Sequence, residues 1–78
     1  MSHPDLTKQY EEHTAHPPRL VHDRGYFLVE AYSPVTHGYI LMAEWMTKEL
    51  AELDLKNWQE SWKQEQASFQ TALGVTHN

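Results

Sequence analysis

The sequence predicts a small α+β protein: an antiparallel β-hairpin packed on a long C-terminal α-helix, preceded by a short helix or arm. Three observations carry this reading. Two runs rich in aromatic and β-branched residues, 26–32 and 39–45, flank a loop that holds Pro34 and Gly38, the composition of paired strands around a turn. Residues 48–73 contain neither Gly nor Pro and place their apolar residues at helical spacing. The chain has only 78 residues and no cysteine, so one modest core must hold it together without disulfide staples.

Residues 1–24 read as an N-terminal arm. Ser2 or His3 ahead of Pro4 and Asp5 resembles a helix start, with proline and an acid in the first turn. A helix from Pro4 to near His13 would bury Leu6 and Tyr10, one turn apart. Pro17-Pro18 ends it and holds the chain extended as a connector.

Residues 25–74 read as a single ββα unit, with 75–78 as a frayed tail. Pairing Tyr32 with Tyr39 puts Phe27, Val29, Ala31, Ile40 and Met42 on one face. Tyr26, Leu28, Tyr32, Tyr39, Leu41 and Trp45 fall on the other, and Glu30 and Glu44 on opposite faces. Both faces are largely apolar, so both require cover. In the following helix, Thr47 is the N-cap and Gly74 the C′ glycine. Leu50, Ala51, Leu55, Trp58, Trp62, Phe69, Ala72 and Leu73 form its apolar stripe, and Leu53 lies off it. Asp54 offers a point at which the helix could break and restart.

An unbroken helix over 48–73 spans about 39 Å, whereas a globule of this size has a radius of gyration of about 12 Å. The end carrying Trp62 and Phe69 then overhangs one hairpin. Either the helix folds back or a second chain covers it, and a homodimer is the expected resolution.

Charge narrows the function. The net charge is −5, and residues 25–46 contain Glu30 and Glu44 but no Lys or Arg. Direct nucleic-acid binding needs clustered bases to neutralise phosphates and is not expected. The apolar runs are too short to span a membrane, and no secretory signal pattern opens the chain, so a cytoplasmic location is expected.

Catalytic patterns are sparse. No glycine-rich phosphate loop or nucleophile elbow occurs. His37 beside Gly38 resembles a general base without an evident orienting partner. Six histidines occur, and His13 with His16 are spaced to reach one metal, but the prolines that follow break the context, so neither a metal nor a cofactor is expected. The surplus of large rings points instead to contact with protein, because Trp and Tyr bury much area at low entropic cost. Tyr26, Tyr32, Tyr39, Trp45, Trp62 and Phe69 are the expected interface residues. The predicted function is a non-catalytic protein-binding module: a regulator, inhibitor or accessory subunit of a larger protein. A phage-type inhibitor of a nucleic-acid enzyme is one form of it. The alternatives are a metal- or small-ligand-binding protein using the His-rich arm, and a chain that completes another enzyme's active site.

Overall fold

The computed structural model describes residues 4–74. The N-cap candidates Ser2 and His3, and the tail 75–78, lie outside the described residues. The order is α1 (Pro4–Ala15), β1 (Arg19–Asp23), β2 (Tyr26–Ser33), β3 (Gly38–Trp45) and α2 (Lys48–Ala72). The fold class is the expected α+β, but the antiparallel sheet has three strands, in the order β1-β2-β3.

The added strand comes from the segment read as a connector. Pro17-Pro18 sends the chain into extended backbone, and Arg19–Asp23 pairs along Tyr26–Glu30. A two-residue turn closes this hairpin. Arg24 (φ 51°) and Gly25 (φ 81°) both adopt positive φ, the twist-matched turn that tight hairpins favour. The boundary expected between residues 24 and 25 therefore falls inside a hairpin turn, and 19–45 fold as one sheet.

The second hairpin keeps the expected pairing of Tyr32 with Tyr39, as far as Glu30 opposite Leu41. A bulge follows: Val29 pairs with Ala43, so Met42 is the extra residue on β3. Beyond the bulge every β3 side chain changes face relative to a regular ladder. Trp45, paired with Phe27, joins Val29, and Glu44, paired with Leu28, joins Glu30. Both assignments correct the regular register.

The helix α2 lies on the face of Val29. Its buried residue is Ala51, and Trp45 donates from its indole to Asp54 on α2 at 2.9 Å. Thr47 caps the helix, its hydroxyl accepting from the Leu50 amide, and Gly74 (φ 73°) ends it. Asp54 starts no second helix: α2 runs unbroken for 25 residues. It overhangs the sheet as expected, and α1 supplies the cover. His13 stacks on Trp62 with centroids 5.0 Å apart, and Tyr10 and His13 pack against Phe69. The chain thus reaches a third solution, beside a fold-back and a second copy.

Among the described residues Val29 is the one large side chain fully buried. Cα extents of 49 × 29 × 13 Å explain why. The thinnest dimension holds one helical layer on one sheet, about 10 Å apart, and leaves no room for a layer on the sheet's other face.

Candidate functional site

Two regions stand out: the sheet face that no helix covers, and a cleft where α1 meets the hairpin tip.

The uncovered face follows from strand alternation. Cross-strand rows place Val21, Leu28 and Glu44 together, Arg19, Glu30 and Leu41 together, and Asp23 beside Tyr26. Tyr26 and Leu41 are 44% and 49% exposed, and Met42 at the bulge is 38%. Arg19 is the basic residue of this face and is already engaged. Its guanidinium lies 3.7 Å from the Tyr39 ring centroid and donates to Glu30 at 2.7 Å. Asp23 and Glu44 have no ion-pair partner among the described residues. The apolar patch therefore has an acidic rim. Among the described residues the outer edge of β3 is also unpaired, and Ile40, which shares the face of Ala31 and Val29, is exposed beside it.

The six expected interface residues separate. Tyr26 lies on the uncovered face. Tyr32 and Tyr39 sit at its far end but are engaged, Tyr32 stacked on His16 at 4.0 Å and Tyr39 donating to the Pro17 carbonyl. Trp45 packs toward α2, and Trp62 and Phe69 pack under α1. Leu28 and Leu41, absent from that set, contribute to the exposed patch.

The cleft has a volume of about 770 Å³. At its mouth Glu12 Oε1 accepts from the Tyr32 hydroxyl at 2.8 Å and from His37 Nδ1 at 2.7 Å. His16 donates from Nδ1 to the Glu12 carbonyl at 2.7 Å. The His37 bond, then the Tyr32 bond, hold the Glu12 carboxyl below the ordinary carboxylate range against a smaller opposing effect of desolvation. Desolvation first, then the Glu12 bond, raises the Tyr32 phenol. His37 sits at φ 55°, a strained conformation for a residue with a Cβ. It thus has the orienting carboxylate that its sequence context does not reveal, because Glu12 lies on α1. His13 and His16 diverge: one stacks on Trp62 and the other on Tyr32. Among the described residues no group of three or more His, Asp and Glu side chains converges as a metal site.

The chain matches no known protein family, curated protein or solved structure. The reading of both regions therefore rests on their own chemistry. No described helix is long and apolar enough to cross a membrane.

Glu12 also gives a pH dependence. Its folded-state carboxyl binds protons less readily than the unfolded one. Its contribution is complete above the ordinary carboxylate range and is lost as pH falls through the folded-state value. Glu12→Gln keeps an acceptor but cannot ionise. The difference in melting temperature between wild type and this variant should shrink from about pH 6 to about pH 3. A difference that is constant over that range would contradict the assignment.

Proposed function

We propose that this protein is a non-catalytic binding module that docks on a larger protein through its uncovered sheet face. The observation that carries this reading is the contrast between the two faces: α2 covers Val29, while Tyr26 and Leu41 on the opposite face remain in water. Three strands about 4.8 Å apart and up to eight residues long give a face of roughly 350 Å². That lies within the size of functional patches on monomers but below the ~800 Å² each partner contributes to a standard interface. The bare edge of β3 adjoins the patch and extends the contact, by strand addition or by side-chain packing. The unpaired carboxylates of Asp23 and Glu44 favour a partner with a basic rim and disfavour a second copy of the same acidic face. A regulator, inhibitor or accessory subunit fits this surface. Without cysteine the chain needs no oxidising compartment, and a cytoplasmic setting is part of this reading.

The test is site-specific photo-crosslinking in lysate of the source cells, with the probe at Tyr26 or, as a control, at Lys56 on the exposed side of α2. The expected result is one heavier adduct from position 26, competed by excess unlabelled wild type and not by Leu28→Glu. An adduct of twice the chain mass would indicate a homodimer instead. Identical products from positions 26 and 56 would refute the assignment of this face.

A further inference from the structure

We propose that the cleft between α1, the hairpin tip and α2 binds a small organic cation, an alkylammonium or guanidinium group on an apolar stem. The cleft meets the uncovered sheet face at Tyr32, away from Tyr26 and Leu41, so this inference does not rest on the protein-binding reading. Its volume of about 770 Å³ falls within the range of small-molecule sites, about 300–1,000 Å³.

The lining selects the charge. Asp5, Glu12 and Glu65 face the cleft beside one lysine, Lys8, and Glu65 Oε2 lies 3.3 Å from His13 Nε2. Trp58 supplies aromatic surface, as do Tyr32 and Trp62, each of which already stacks one ring face on an imidazole, and a free ring face attracts a cation that has shed part of its hydration. A phosphate or carboxylate ligand would meet three like charges. A neutral apolar ligand would desolvate carboxylates and return no hydrogen bond.

Glu12 is the focal group. Tyr32 and His37 both donate to Oε1, which fixes the carboxylate in orientation. Among the described residues Oε2 takes no hydrogen bond, so it remains available to a ligand N–H. The low proton affinity of Glu12 keeps the anion present at neutral pH. The three imidazoles of the cleft all spend Nδ1 internally: His13 on Gln66, His16 on the Glu12 carbonyl and His37 on the Glu12 carboxylate. They hold the walls in place.

The test follows the Trp58 and Trp62 indole N–H signals by NMR at about pH 8, above the ordinary range of imidazole protonation. The probes are phenethylamine and agmatine, with 2-phenylethanol and 3-phenylpropionate as neutral and anionic counterparts. A short peptide, Gly-Gly-Lys-Gly-Gly, separates a free amine from a protein side chain as the source of the cation. At least one amine should give saturable shifts with an affinity at least about tenfold above its neutral and anionic counterparts. Glu12→Gln, which preserves the acceptor at Oε1, should weaken binding about tenfold. Glu65→Gln, at an exposed position, should weaken it less, and Glu52→Gln outside the cleft should leave it unchanged. Equal binding of 2-phenylethanol would overturn the proposal. So would no saturation by either amine below about 10 mM, unchanged affinity in both cleft variants, or a response to the peptide alone.

Discussion

Val29→Ala should lower the unfolding free energy by about 2–3 kcal/mol, a large share of the ~4–12 kcal/mol expected for a chain of this length. Val29 lies on the central strand between Leu20 and Ala43, on the face covered by α2, and is wholly inaccessible to water. Losing two methyl groups removes about 1.6 kcal/mol of transfer free energy. The cavity adds to this, because a helix anchored along a sheet cannot close over the gap at one point. Val35→Ala is the matched control. The same two groups are removed, but Val35 sits at the hairpin tip and is 87% exposed, so its change should stay within about 0.5 kcal/mol. Urea unfolding of both variants measures the contrast. Equal midpoints would mean that the core does not pivot on β2.

The parts of this architecture legible in the sequence are those whose signals are local. The helix α2 was readable because its stripe repeats over 25 residues and both ends carry capping residues. The pairing of Tyr32 with Tyr39 was readable from the loop between them. β1 was not, because Arg19–Asp23 offers only Leu20-Val21 as apolar content and follows two prolines. Its one clue was Gly25 directly before β2, and Arg-Gly is a weaker turn signal than Asn-Gly. The bulge left no mark at all. Leu41, Met42 and Ala43 are all apolar, so a slip of one residue changes no hydrophobic pattern. That slip moved Trp45 to the covered face and turned the other into a patch with an acidic edge. The Glu12 network was invisible for a further reason. Glu12, Tyr32 and His37 come from α1, β2 and the tip, and only tertiary packing brings them together. The expected need for cover over Trp62 and Phe69 was sound physics. Its answer, α1, lay in the segment with the least distinctive sequence.

Trp62→Ala should detach α1 while leaving the sheet and most of α2 folded. The Trp62 indole donates to the His13 carbonyl at 2.9 Å, and His13 stacks on the ring at an interplanar angle of 8°. That carbonyl, in the last turn of α1, also accepts from the His16 amide at 3.3 Å, so Trp62 serves as the floor and as a second donor at the helix end. Truncating a core Trp costs about 3–5 kcal/mol; because Trp62 is only half-buried, about 2–3 kcal/mol is expected here. Trp62→Phe should retain the stack and lose the hydrogen bond, at about 1 kcal/mol. A free helix of 12 residues is marginal in water, so α1 should melt once undocked. Helical circular dichroism should then fall by the share of α1. Amide exchange should accelerate through residues 5–15, with the amides of Val29 and Ala51 still protected. The side-chain hydrogen bonds that remain on α1, from Tyr32 and His37 to Glu12, between Gln66 and both His13 and Thr14, and from Gln70 to Tyr10, lie at partly or fully exposed positions, where such contacts are weak. Uniform loss of protection across the chain would show instead that α1 and the sheet unfold as one unit. In that case the cleft could not open without unfolding the protein.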